Sequence, residues 1–386
     1  MNYLLQAYAC SPYKGGEYAV SWGWITHIDE KLNNNDVLYV VSLTLTQEDI
    51  KRFNLKHVVL IKVDKMEKYK FLNYNFLFYR IWQYKAYKKV RKLKIDVIHV
   101  YSLSDYRQIG FWYKMKESYK ILGPVGGGQI TPKALRCYDS KKGFIREFVN
   151  YIYKYNLFQK AKLLKFDKIY ACNYETQKEL INSKILPDVP LNDAFQKVKI
   201  KKKKKNSKVN ILFVGRLINK KGLIFLLDVL GKLNKNLNYQ LSIYGEGEQE
   251  ELIRSLIIKK GLENKVYIKG SIPYDEISKV YLEADFFIMP SLRESGGSVL
   301  IEAMAHELPV VALNMALPKI LKRYNCGLFI DINQSKEKII NDMALAIEKM
   351  ILNPELRWEL GRNGYGYVNE KLTWKHSIQE VYQNLL

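Results

Sequence analysis

The residue types best suited to chemistry cluster in Ala284–Leu313, which reads ADFFIMPSLRESGGSVLIEAMAHELPVVAL. An apolar run ends at Ser291, a loop holds Glu294, Gly296 and Gly297, and a helical pattern starts near Ser298 and runs through Val299. Glu302 lies four positions after Ser298 and therefore on the same helix face. Two glycines let a ligand approach the backbone, and the N–H groups of a first helical turn attract an anion. The pair Glu294 and Glu302 thus predicts an anion seat with a carboxylate on each side. Ionised carboxylates accept hydrogen bonds from hydroxyls, so the pair suits a diphosphate flanked by two polyols. The competing reading is two surface glutamates drawn to a helix N-terminus by its dipole.

Val209–Gly222, VNILFVGRLINKKG, supplies the opposite charge. An apolar strand pattern ends at Gly215, and Arg216 and Lys221 follow in a loop that enters a helix at Gly222. Two cations at a strand end beside a helix N-terminus bind a pyrophosphate and neutralise charge that grows as a bond to it breaks. Alone, this is weak in a lysine-rich chain. Joined to the carboxylate loop, it becomes a site.

Positioning such loops requires alternating strands and helices. Strand-like runs fall at Tyr3–Ala9, Val37–Val41, Val58–Val63, Asp96–Val100, Lys120–Leu122 and Lys168–Cys172, with helical stretches such as Tyr18–Lys31, Phe71–Leu93 and Ile145–Leu164 between them. After the lysine-rich Lys197–Lys208 the pattern restarts: Val209–Val214, Tyr239–Tyr244, Val266–Lys269, Asp285–Met289, Pro309–Leu313 and Gly327–Ile330. This alternation predicts an α/β fold with two doubly wound parallel sheets and a ligand cleft between them. The expected domains are residues 1–200 and 201–373, joined by a linker that like-charge repulsion keeps extended, with helix 374–386 packing back on the first.

These segments resemble the bacterial retaining glycosyltransferases of family 4, the group 1 glycosyltransferases. That family has the GT-B fold: two Rossmann-like doubly wound domains facing a central cleft. Its Glu-x7-Glu signature is met by Glu294 and Glu302, and its Arg…Lys-Gly loop by Arg216 and Lys221-Gly222. The resemblance spans the second half, including YGEGEQEEL at Tyr244–Leu252 and VYIKGSIPYDEI at Val266–Ile277. It implies that Glu302 holds the ribose and Glu294 the donor sugar. It further implies that the amides of Gly296, Gly297, Ser298 and Val299 seat the diphosphate, while main chain near Ile272 reads the base. The implied reaction moves a sugar, with retention, from a nucleoside-diphosphate sugar to a saccharide or lipid-linked acceptor in polysaccharide or glycolipid synthesis. The rivals are a non-catalytic basic binding protein on the same fold and a sugar-nucleotide epimerase or phosphorylase.

The first half matches more loosely. Gly15 and Gly16 follow the first strand, where they suit contact with donor phosphate or a plain tight turn, and Gly126–Gly128 is similarly ambiguous. DVIHVYSLSDYR at Asp96–Arg107 has His99 but Tyr101 where an His-x-His pattern would place a second histidine. His99, Tyr101 and Arg107 are the acceptor-side candidates, with a satisfied strand-end histidine as the alternative for His99.

Absences narrow the chemistry. No Asp-x-Asp, Gly-x4-Gly-Lys, HExxH or GxSxG occurs. No metal or cofactor is therefore expected, and Arg216, Lys221 and a helix N-terminus take the place of a divalent cation. Cys10, Cys137, Cys172 and Cys326 form no CxxC or Cys/His cluster.

Among the 386 residues, 62 Lys and Arg oppose 39 Asp and Glu, a net charge of +23. Such an excess attracts anions, unless it reflects only a Lys-rich composition. Phe71–Leu93 and Lys141–Lys165 combine aromatics with Lys and Arg, a pattern that lies in the headgroups of an anionic membrane or packs its rings inward. With no apolar run near the ~20 residues of a spanning helix, the expected location is the cytoplasm, peripheral on the inner face of the cell membrane. Nucleic acid is not an expected partner, for want of any recognition motif.

Overall fold

The computed structural model describes residues 1–64, 66–72, 76–101, 103, 105–191, 193–195, 208–273 and 276–386. They form two compact units. The first comprises Met1–Gly128, Asn150–Pro190 and Trp374–Leu386; the second comprises Gln129–Val149 and Leu191–Thr373. The expected domain boundary at residue 200 and the lysine run Lys201–Lys205 lie outside the described residues.

The first unit is built on seven strands: β1 (Asn2–Gln6), β2 (Val37–Ser42), β3 (Val58–Lys62), β4 (Val97–Val100), β5 (Tyr119–Val125), β6 (Lys168–Ala171) and β7 (Lys184–Ile185). Their order is β3-β2-β1-β4-β5-β6-β7, every pair parallel. The second sheet contains β8 (Val209–Val214), β9 (Tyr239–Tyr244), β10 (Val266–Gly270), β11 (Phe286–Met289), β12 (Val310–Leu313) and β13 (Gly327–Ile330). Its order is β10-β9-β8-β11-β12-β13, again all parallel. Parallel strands covered on both faces read as continuous apolar runs. Accordingly β4, β11 and β12 are buried at every residue, His99 included. Both orders are the doubly wound Rossmann pattern, which reverses direction between β1 and β4 and between β8 and β11.

Trp374–Leu386 belongs to the first unit through packing and hydrogen bonds. The Trp374 ring meets Trp24 edge-on at 5.4 Å and stacks on His27 at 4.9 Å. Tyr170 Oη donates to Glu380 O at 2.8 Å, and Tyr3 Oη donates to Leu385 O.

Two helix expectations change. The Ile145–Leu164 stretch is two helices, Lys141–Lys154 and Leu157–Leu163, because Asn156 interrupts it: its side chain accepts a 3.0 Å bond from the Gln159 N–H and caps the second helix. The Phe71–Leu93 stretch is helical over Phe76–Val90, with residues 73–75 outside those described. Its rings divide, since Phe78, Tyr79 and Trp82 are core whereas Phe76 and Tyr84 are exposed. In the other basic stretch Phe148, Tyr151, Tyr155 and Phe158 all face outward, while the Phe144 side chain lies outside those described.

Candidate active site

The strand order of the second sheet reverses where β8 and β11 lie side by side, Phe286 beside Ile211 and Phe287 beside Leu212. Loops leaving the C-terminal ends of those two strands border the ligand crevice of a doubly wound sheet. The loop after β8 carries Arg216 and Lys221, and the loop after β11 carries Glu294, Gly296 and Gly297.

The two loops are packed on each other. Lys220 O accepts hydrogen bonds from Leu292 N at 2.8 Å and Arg293 N at 3.4 Å. Gly222 follows the Asn219–Lys221 turn with φ +72°, and a Cβ there would stand 2.1 Å from Pro290 O, so only glycine fits. Lys221 Nζ donates to Glu294 Oε2. Burial of Glu294 opposes its ionisation, but Lys221, Lys220 and the Ser295 N–H outweigh it and hold the carboxyl below its ordinary range. Lys221 and Glu294 thus stand as a preformed ion pair. Arg216 is exposed, and its guanidinium has no partner among the described residues.

The Ser298–Ala305 helix starts from Gly297, whose left-handed φ of +70° swings the chain into the first turn with no side-chain cap. Gly296 and Gly297 are buried, and Ser298 and Val299 half-buried. Within this helix Glu302 is buried and accepts a hydrogen bond from Tyr281 Oη at 2.9 Å. Burial pushes its pKa up to about 7, against the lowering effect of the Tyr281 hydroxyl. The two carboxylates therefore differ: Glu294 is ionised against a lysine, and Glu302 is poised near neutrality. Tyr281 stacks on His306 at 5.0 Å, and His306 bonds to Glu302 O at 2.7 Å and Ser278 Oγ at 2.7 Å. Ile272 lies half-buried just beyond β10, in the loop where Ser271 Oγ donates to Glu246 Oε1 at 2.6 Å.

The candidates of the first unit fare differently. Gly15 and Gly16 are exposed ahead of the Glu17–Asp29 helix, with open space beside both. His99 is fully buried. Its Nε2–H donates to Gly123 O at 2.5 Å, and its Nδ1 accepts from Tyr382 Oη at 2.9 Å. Burial lowers its pKa to about 4, so the ring is neutral. Tyr101 is buried beside Trp24, 6.2 Å between rings. Arg107 is buried, with Nε donating to Asp105 Oδ1 at 2.8 Å and Nη1 to Asn150 Oδ1 at 2.8 Å. All three are thus buried within the first unit.

Sequence reasoning missed Tyr281, the hydroxyl partner of Glu302, because nothing local distinguishes it from other core tyrosines. It also missed Arg293, which donates from Nη2 to Asp139 Oδ1 at 3.2 Å. Among the described residues, no group of three or more His, Cys, Asp or Glu is placed to hold a metal.

Residues 194–367 match the family model described as "Glycosyl transferases group 1". An uncharacterized glycosyltransferase of Methanocaldococcus jannaschii is 30% identical over 172 residues, 44% of this chain and 43% of its own length. The chain therefore spans less than half of that relative. A second uncharacterized glycosyltransferase of the same organism is 26% identical over 346 residues, 88% of this chain and 89% of its own. Among solved structures, the apo form of the lipopolysaccharide outer core galactosyltransferase WaaB superimposes with TM-score 0.68 at 15% identity, covering 100% of each chain. Anabaena Alr3699/HepE in complex with UDP does so with TM-score 0.65 at 12% identity, covering 100% of this chain and 99% of its own. At these identities the structural likeness establishes the fold, and the fold is GT-B. Residues 194–367 are thus similar to the group 1 glycosyl transferases, a match over somewhat less than half of the chain.

Proposed function

We propose that the chain is a retaining glycosyltransferase of family 4. It moves a sugar from a nucleoside-diphosphate donor to a saccharide or lipid-linked acceptor in surface polysaccharide or glycolipid synthesis, without a metal or other cofactor. The observation that carries this reading is that the loop bearing the exposed Arg216, the Lys221–Glu294 pair and the Gly297-led helix all follow the two strands at the strand-order reversal of one sheet. In this reading Arg216, Lys221 and the amides of Gly296–Val299 neutralise the diphosphate as its bond to the sugar breaks. Glu302, supported by Tyr281, receives the ribose hydroxyls. Glu294 faces the donor sugar, and main chain at Ile272 meets the base. The departing phosphate oxygen takes the proton of the acceptor hydroxyl on the same face of the sugar, which retains its configuration. Relatives and structural neighbours with glycosyltransferase names, one solved with UDP, favour this donor class.

The test is a thermal-shift comparison of UDP, GDP and ADP. A ligand that binds only the native state raises the melting temperature by mass action. One nucleotide should stabilise the wild type, and Arg216→Ala should lose most of that gain. Equal stabilisation of the variant would overturn the phosphate seat.

We also propose that the basic face of the first unit meets an anionic membrane from the cytoplasmic side. Arg80 and Lys114 lie 5.8 and 5.7 Å from the Phe111 ring centre, and Lys114, Lys162 and Lys165 lie 5.9, 5.5 and 5.8 Å from that of Tyr113. Burial, then the neighbouring charges of Arg80 and Lys114, hold the Lys162 pKa down. Nearby in sequence, Leu157, Phe158 and Leu164 are 75, 82 and 63% exposed, where rings and aliphatic groups enter headgroups. No helix among the described residues is long and apolar enough to cross a membrane.

A further inference from the structure

The Gln129–Val149 segment follows the loop after β5 and interrupts the first unit in sequence, yet it folds with the second unit. Leu135 is fully buried in that unit's core. Tyr138 lies edge-on to Phe225 at 5.6 Å and donates from Oη to Asp228 Oδ2 at 2.5 Å. The next residue, Asp139, has its side chain only 4% exposed. Its carboxylate accepts from Thr131 Oγ1 at 2.5 Å, from Ser140 N at 2.8 Å and from Arg293 Nη2 at 3.2 Å.

Arg293 is the neighbour of Glu294 in the loop after β11. Its main chain is tied to Lys220 O, and the following side chain is tied to Lys221. The Arg293 Nε is buried without a partner, so Asp139 is the only carboxylate that compensates this guanidinium among the described residues. A buried cation holds its place only while its counter-charge does.

We propose that Asp139 is a positioning residue for the Glu294 loop: through Arg293 it fixes the loop that presents the carboxylate to the donor. The proposal rests on the reading of Glu294 as a donor-site group. Asp139 itself touches no reacting atom. The proposed diphosphate seat stands on Arg216, Lys221 and helix amides, whereas the Asp139 carboxylate is bonded to Thr131, Ser140 and Arg293.

The test compares Asp139→Asn with Tyr138→Phe, which removes the neighbouring anchor of the same segment, and with Arg293→Met alone and combined with Asp139→Asn. Hydrogen exchange at the Arg293–Ser295 amides should quicken about tenfold in Asp139→Asn and stay near wild type in Tyr138→Phe. With UDP-glucose, UDP-galactose and UDP-N-acetylglucosamine as probes, kcat for donor cleavage should fall about tenfold while KM stays within about twofold. In the Arg293→Met background, Asp139→Asn should add nothing to either readout. Unchanged loop exchange in Asp139→Asn, an equal rise in Tyr138→Phe, or an additive effect in the double variant would overturn the proposal. If the wild type cleaves no sugar nucleotide, the functional reading is weakened, while the exchange comparison still decides the role of Asp139.

Discussion

Two carboxylates eight positions apart acquire opposite characters from their surroundings. Glu294 faces a lysine and is held ionised; Glu302 is buried beside a neutral tyrosine and its pKa is pushed up to about 7. A ligand hydroxyl that donates to Glu302 favours the ionised form, so binding must release the proton the free protein holds below pH 7. The affinity of the stabilising nucleoside diphosphate should therefore rise about tenfold between pH 6 and pH 8, a range set by the raised free-state value. Calorimetric titration of wild type and Glu302→Gln checks this: the variant should lose that share of the slope, leaving only what the phosphate contributes. Identical slopes would separate Glu302 from the ligand. For the empty protein the sign is opposite: the raised pKa favours folding at low pH, and that contribution is lost as pH rises from the ordinary carboxyl value through about 7.

At the scale of elements, the site is two loops held by adjacent parallel strands and locked by backbone. Gly222 is the tightest point, with its left-handed φ and Pro290 O where a Cβ would stand. Gly222→Ala should destabilise the protein by about 2 kcal/mol or more, from the disfavoured φ together with overpacking. The urea midpoint should fall accordingly, and nucleotide stabilisation should weaken with it because the turn carrying Lys221 must shift. The strands that carry these loops were legible because buried parallel strands are unbroken apolar runs, as in FFIM at β11 and VVAL at β12. The two-residue β7 was not, since two residues carry no periodicity. Nor was the break at Asn156, where one side-chain cap divides an otherwise continuous helical pattern.

Across the whole molecule, the net charge of +23 gains meaning from its local arrangement. Arg80, Lys114, Lys162 and Lys165 gather around two rings of the first unit, beside sequence with exposed apolar side chains. Binding to vesicles containing phosphatidylglycerol should exceed binding to phosphatidylcholine vesicles and weaken with salt, since each basic residue near the surface contributes about 1 kcal/mol. Phe158→Asp with Leu164→Asp should reduce co-sedimentation severalfold at low salt without lowering the melting temperature, both side chains being exposed. Co-sedimentation indifferent to lipid charge and salt would overturn the membrane proposal.

The repeated strand–helix grammar, the two charged loops and the Glu-x7-Glu spacing are legible in the chain before it folds. Each of these is written within a few tens of residues, where periodicity and turn chemistry act. Tertiary structure alone decided the partners. Tyr281 meets Glu302 from another helix, Asp139 reaches Arg293 across 154 positions, and His99 is claimed by Tyr382 across 283. Such pairs form only once the sheets have placed their helices and loops. A histidine or arginine that looks available in the chain is then consumed by the fold, while the exposed Arg216 keeps its charge unpaired among the described residues.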